Sequence, residues 1–174
     1  MRAGRMNSRL RILDASGVEL GRIWADVRPP LEVGEQSGLR ESGQTKVLVR
    51  PRAILRPGLF LEGHGQLFVI DGQGDRLSRH QDVHLSCTRL VGRNGVYRRY
   101  GGDESPVRVH VSRNTPHVGL SGQVMDYRYR VDIPALDQPA PWQPGDMILL
   151  DGTEYPLTGL AEDGDDGTVV TFTS

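Results

Sequence analysis

The chain has 174 residues, 37 % of them apolar and only 6 % aromatic, with 22 Gly and 11 Pro, which suits many short strands joined by turns in one domain or two small ones. No run approaches the roughly 18 apolar residues of a membrane-spanning helix, and the single cysteine, Cys87, excludes an intrachain disulfide and fits a reducing compartment. The net charge of −1 hides a split: residues 1–105 hold 17 Lys+Arg against 12 Asp+Glu, and residues 106–174 hold 4 against 10. Such polarity usually faces partners of opposite sign.

The N-terminus, MRAGRMNSRLRIL, is basic and lacks the continuous apolar segment of a signal peptide. Residues 1–7 read as an arm that a partner would have to hold. Ser8 to Asp14 alternates as a strand, with Leu10 and Ile12 on one side. A turn at Ala15-Ser16-Gly17 leads to a second strand, Leu20 to Arg28, whose apolar weight is Ile23 and Trp24, and Pro29-Pro30 stops it because proline cannot donate to a ladder. Leu31 to Gln44 is polar and aperiodic, a long connection of the kind that usually carries function. Thr45 to Arg50 is a third strand, and a short helical turn fits Arg52 to Leu55.

The next stretch occurs twice. Arg56 to Gly72 reads RPGLFLEGHGQLFVIDG, and 87 residues later Gln143 to Gly159 reads QPGDMILLDGTEYPLTG. Without a gap, Pro57 falls on Pro144, Gly58 on Gly145, Gly65 on Gly152, Phe68 on Tyr155, Ile70 on Leu157 and Gly72 on Gly159. Each copy is a Pro-Gly turn, a short strand, a Gly-containing hairpin turn and a second strand. The register persists, with Val83, Leu85 and Ser86 on Val170, Phe172 and Thr173 in the closing strands Asp82 to Leu90 and Thr168 to Phe172. A loop fills Gly72 to His80. Val91 to Pro106, with paired Arg and four Gly, reads as a linker anchored by Tyr97 and Tyr100. Beyond it come a strand at Val107 to Ser112, a loop at Arg113 to Gly122, a long strand at Met125 to Ile133 and a Pro-rich connection containing Trp142. The expected architecture is all-β: two tandem small β-barrels, residues 1–92 and 106–174, joined by a Gly/Pro-rich linker at 93–105.

No motif points to catalysis. His80 and His84 are four apart, which on a strand separates them by about 13 Å, and His110 and His117 have no Cys, Asp or Glu at ligand spacing. The acidic run Glu162 to Gly167 resembles the start of a calcium loop but lacks the closing Glu, and reads as a hairpin tip. Cys87 has the inward phase of Val83 and Leu85, as a buried structural thiol does. Gly72 to Asp75 lacks the full phosphate-loop fingerprint and opens no helix. The expectation is a protein that is not an enzyme, with no cofactor and no metal. The basic residues that stand out as interface candidates are Arg2, Arg5, Arg50, Arg52, Arg56, Arg98 and Arg99; arginine suits protein interfaces through bidentate pairing with carboxylates.

An arm beginning MRAG-R, a strand ending in W-A-D-V-R-P (Trp24 to Pro29), a polar loop, then strand, Pro-Gly, strand and G-x-x-F-x-I make residues 1–92 resemble the head–tail joining proteins of tailed bacteriophages, also called head-completion or stopper proteins. Residues 106–174, with P-G-D-x-I-x-x-D-G-x-x-Y from Pro144 to Tyr155, resemble the tail-attachment head-joining protein of long-tailed phages. The resemblance implies a homo-oligomeric ring, hexamer or dodecamer, in the virion at the head–tail interface, assembled in the host bacterial cytoplasm. Its partners would be portal or adaptor proteins above, tail terminator or tail tube proteins below, and double-stranded DNA in transit, with no membrane. It also implies a lumen loop at 31–44, with Glu32, Glu35, Gln36, Arg40 and Glu41 as gating candidates, and a counterpart at Arg113, Asn114 and His117. The fusion of two barrels departs from the family pattern. A tail terminator or tail-tube-proximal ring protein is the nearest alternative. A tandem-barrel nucleic-acid-binding module is the alternative from another class; its only aromatic-basic candidates are Tyr97, Tyr100, Arg98 and Arg99.

Overall fold

A computed structural model describes residues 6–30, 38–74, 82–118, 124–139, 141–161 and 167–174, with side chains at all but 114–118 and 124–128. The protein is all-β and divides into two compact units, Met1–Val91 and Gly92–Ser174. The first holds β1 (Ser8–Leu13), β2 (Glu19–Arg28), β3 (Arg40–Val49), β4 (Phe60–Gly63), β5 (Gln66–Gly74) and β6 (Val83–Leu90). They close into a barrel in the order β1-β2-β3-β6-β5-β4, β4 pairing back onto β1. Alternation sends Leu10, Ile12, Ile23, Ala25, Val47, Val49, Phe68, Ile70, Leu85 and Cys87 into one core. Closure leaves no unpaired sheet edge, the usual route by which a small β-domain avoids aggregation.

The second unit holds β7 (Arg93–Arg98), β8 (Glu104–Val118), β9 (Val124–Pro134), a single 3-10 turn at Ala135–Asp137, β10 (Met147–Leu150), β11 (Thr153–Pro156), β12 (Gly159–Leu160) and β13 (Val169–Thr173). The ladder runs β11-β10-β7-β8-β9-β13-β12 around a core that includes Tyr97, Val109, Val131, Ile133, Ile148, Leu157 and Phe172. Among the described residues no ladder joins its end strands, β11 and β12, so the second barrel is a curled sheet. Those two strands are nonetheless consecutive in the chain, separated by Leu157 and Thr158 alone. The Leu157 N–H donates to the Asp146 carbonyl at 2.9 Å and the Thr158 N–H to the Thr173 carbonyl at 2.8 Å, so the interrupted strand is held from both sides.

The two units share one topology. β1 corresponds to β7, β2 to β8, β3 to β9, β4 to β10, β6 to β13, and the continuous β5 to β11 plus β12. The hairpin registers superpose at the 87-residue offset: Leu61 opposes Phe68 and Ile148 opposes Tyr155. So do the closing strands, where Gly72 opposite Ser86 matches Gly159 opposite Thr173. The hairpin turns match residue for residue. His64 and Gly65 have φ of 52° and 73°, Asp151 and Gly152 φ of 51° and 78°, the left-handed pair that a tight two-residue hairpin turn demands. The repeat read from the sequence is therefore a duplicated fold.

Four expectations need correction. Residues 93–98 are not linker: they form β7, paired with both β8 and β10 in the second sheet. The helical turn at 52–55 is a simple turn, the Leu55 N–H donating to the Arg52 carbonyl at 3.2 Å. Trp24 adds nothing to the core: between buried Ile23 and Ala25 it points outward and is 55 % exposed. The strand boundaries at 40 and 113 also move, with consequences for the proposed site residues.

The turn glycines make a prediction. At Gly58 (φ 85°) an added Cβ meets nothing within 4 Å, but at Gly145 (φ 95°) it would sit 2.7 Å from the Tyr100 ring. Gly58→Ala should therefore cost about 1–2 kcal/mol for the backbone conformation alone, and Gly145→Ala distinctly more, as read by urea unfolding of each variant.

Candidate docking surfaces

Of the residues expected in a lumen loop, Glu32, Glu35 and Gln36 lie outside the described residues. Arg40 and Glu41 do not belong to a loop. They begin β3, where Arg40 opposes Leu90. Glu41 meets Arg89 of β6 at 3.4 Å, and Leu39 just before them is 1 % exposed. The strand starts this early because a register irregularity between Arg40 and Gln44 lets the chain stay paired while its apolar alternation is lost. In the second unit Arg113, Asn114 and His117 likewise lie within β8 and not in a loop, Arg113 and His117 opposite Tyr129 and Asp126 of β9 and Asn114 at a register shift between them. Arg113 stacks over the Tyr129 ring at 5.8 Å, and Tyr129 in turn packs edge-on against Tyr155 at 5.3 Å. His80 and the acidic run 162–166 lie outside the described residues.

The arginines separate into engaged and free. Arg98 bonds Glu104 at 2.8 Å and Glu154 at 3.0 Å, tying β7, β8 and β11 together, so its cationic end is already matched. Arg11 pairs with Glu62 and Glu19, and Arg22 with Glu19 at 2.7 Å. Arg50, Arg52 and Arg56 are the described members of the basic set that are exposed and matched by no carboxylate among the described residues. Arg99 is half-buried, its N–H donating to the Asp103 carbonyl at 2.8 Å. Arg2 and Arg5 lie outside the described residues.

Two features escaped sequence reading. The first is the outward Trp24. Its neighbours Ile23 and Ala25 carried the signal, because a strand sends adjacent residues to opposite faces. The second is a buried polar lock. Asp146 is 0 % exposed and accepts from the Tyr97 hydroxyl at 2.7 Å, the Tyr100 N–H at 2.8 Å and the Gln143 N–H at 3.0 Å. Burial pulls this carboxyl upward, but the two backbone N–H groups and the phenol outweigh it and hold it below the usual carboxylate range. Burial first, and then the Asp146 carboxylate, push the Tyr97 phenol up, so it stays a donor.

Cys87 is fully buried, and desolvation, helped by Asp71, pushes its thiol up to about 12. A thiol that far from ionising is packing material, not a nucleophile. Its side chain should accordingly resist alkylation in the native protein and react on unfolding; rapid labelling of the folded chain by a maleimide would contradict this. A cleft of about 570 Å³ on the outside of the first barrel is lined by Arg28, Lys46, His84 and Ser86 beside Gly72 and Gly74. Arg28 is held there by Asp26 at 2.7 Å, whereas Lys46, also exposed, forms no ion pair among the described residues.

Comparison with protein-family models, curated proteins and solved structures finds no match for the chain.

Proposed function

We propose that this protein is a structural ring component at the head–tail joint of a tailed phage, built from copies of the two-barrel chain and working through surfaces. The duplication is the observation that carries the reading. One fold repeated in matched register gives every subunit two similar shapes with different exteriors. By the observed boundaries the first unit holds 14 Lys+Arg against 10 Asp+Glu, and the second 7 against 12. A hexamer of such chains would present twelve similar barrels and so mediate between a twelvefold portal assembly and a sixfold tail. Heterologous contacts that close on themselves form rings, and two unlike barrels in one chain supply alternating contacts around it. The resemblance of Trp24 to Pro29 and of Pro144 to Tyr155 to head-joining proteins supports a position with portal or adaptor above and tail proteins below.

The reading also predicts how the free protein treats DNA. A conduit lined with continuous arginine would trap phosphates through counterion release. Here Arg11, Arg22, Arg28 and Arg98 are already matched by carboxylates. Binding to double-stranded DNA should be weak and vanish between low and physiological salt. Tight binding at physiological salt would favour the nucleic-acid module instead.

The direct test is removal of the gene from a phage that carries it. The expected particles are packaged heads that lose their DNA and lack tails, restored by adding purified protein. Complete, infectious particles without the protein would contradict the assignment.

A further inference from the structure

Trp24 is held outward on β2 by the burial of Ile23 and Ala25, and it is the largest apolar side chain so exposed in the first unit, at 55 %. Arg9 of β1 lies directly opposite it in the ladder. One step beyond the pair Ala25 opposite Val49, Arg50 comes level with it on the other side. Arg9 and Arg50 are exposed, and neither forms an ion pair among the described residues, whereas Arg11 and Arg22 two residues along are matched by Glu62 and Glu19. An indole between two guanidinium groups that form no ion pair among the described residues has the composition of an interface hot spot, where Trp and Arg are enriched.

The second unit carries a different arrangement at the same place. There Arg108 stands opposite Asn94 as Trp24 stands opposite Arg9. Between β9 and the Pro-Gly turn the connection is three residues longer than in the first unit: nine residues separate Pro134 from Pro144, and six separate Arg50 from Pro57. That longer connection makes the Ala135–Asp137 turn, and Asp137 accepts from the Arg108 backbone N–H at 2.9 Å. The second unit therefore satisfies this backbone N–H with a carboxylate of its own chain. The first unit has the shorter connection and an uncovered tryptophan.

We propose that the Trp24 face of the first unit is the docking surface for the acidic second unit of another copy of this chain. The charges are complementary, net +4 on the first unit and −5 on the second. A contact between unlike surfaces of identical subunits leaves one of each free at every addition, as a ring requires. The inference rests on the ring reading and names the contact that would build it.

The test places a photo-cross-linking amino acid, p-benzoylphenylalanine, at position 24 of the full chain and irradiates a mixture of isotopically light and heavy copies. Mixed light–heavy cross-links from position 24 into residues 92–174 are expected, reduced at least tenfold by Arg9→Glu with Arg50→Glu and by high salt. Trp24→Ala should weaken self-association at least tenfold while leaving the circular dichroism spectrum and the melting temperature near those of the parent. Cross-links into residues 1–91 of the other copy, or unchanged assembly of the Trp24→Ala chain, would overturn the docking surface and leave the ring reading standing. A parent chain that stays monomeric at every concentration would overturn both.

Discussion

Asp146→Leu should destabilise the second unit by about 3 kcal/mol, and adding Tyr97→Ile to the same chain should return a substantial part of the loss. The first unit supplies the reason. At the 87-residue offset Asp146 corresponds to Leu59, and by the pairing of β1 and β7 Tyr97 corresponds to Ile12; both counterparts are buried, Leu59 at 4 % and Ile12 at 0 %. The same two places hold apolar side chains of one core in the first unit and a hydroxyl–carboxylate hydrogen bond of 2.7 Å in the second. Removing only the carboxylate strands the buried Tyr97 hydroxyl and two N–H groups, at about 1–3 kcal/mol for a buried donor without a partner. Replacing both side chains removes the stranded hydroxyl. The Tyr100 and Gln143 amides, being part-buried, are left to water, so recovery should be incomplete. Urea unfolding of the two single variants and the double variant, read as a cycle, should give a coupling of about 1–3 kcal/mol. The lock also has a pH signature. Because the folded carboxyl titrates below its unfolded value, its contribution is complete above that unfolded value and is lost as the pH falls through the lower, folded one. Asp146→Asn should flatten this acid limb of stability.

The second large effect is expected at the closing strand. Phe172→Ala should cost about 3–5 kcal/mol, the range for a phenylalanine removed from a packed core. Phe172 is fully buried, stands opposite Val131 and Leu160 in the ladders, and carries Trp142 on its ring at a centroid distance of 6.5 Å. Its counterpart, Leu85, is equally buried and stands opposite Val47 and Gln73. Leu85→Ala should fall in the lower range of about 2–5 kcal/mol typical of leucine. Trp142 fluorescence should report the Phe172 change before global unfolding.

The second half of the repeat was legible in the sequence and the first half was not, for physical reasons that particular residues make plain. From Pro57 onward the turns require glycine at positive φ, and the same glycines recur at Gly145 and Gly152. In β1 and β7 the matching positions exchange size across the ladder. Leu10 packs beside Gly63 in the first unit, and Gly95 beside Leu150 in the second, so one leucine fills the same place from opposite strands. A Cβ on Gly63 would fall 2.5 Å from the Leu10 side chain, and one on Gly95 2.9 Å from the Leu149 carbonyl oxygen. With glycine as an inward residue β7 shows no apolar alternation, and its arginines make it read as a linker. Gly95→Ala should therefore cost about 1–3 kcal/mol by overpacking, measurable as a lowered urea midpoint. Polar strands hid in the same way: β3 before its irregularity buries too little to alternate, and the sequence of β8 beyond Arg113 has no apolar alternation. Of the interface candidates, Arg50, Arg52 and Arg56 are the described ones left exposed without an ion pair, whereas Arg98 is tied down by glutamates that lie far away in sequence. Nothing in local composition separates these cases. The pairing of β7 with β10 and of β10 with β11 decides them.

Native mass spectrometry of the purified chain tests the assembly most directly. The account predicts a closed species of six chains, about 115 kDa at 19.2 kDa each, whose averaged images show twelve barrels around the axis. A ring of twelve chains, or a monomer at every concentration and salt, would contradict it.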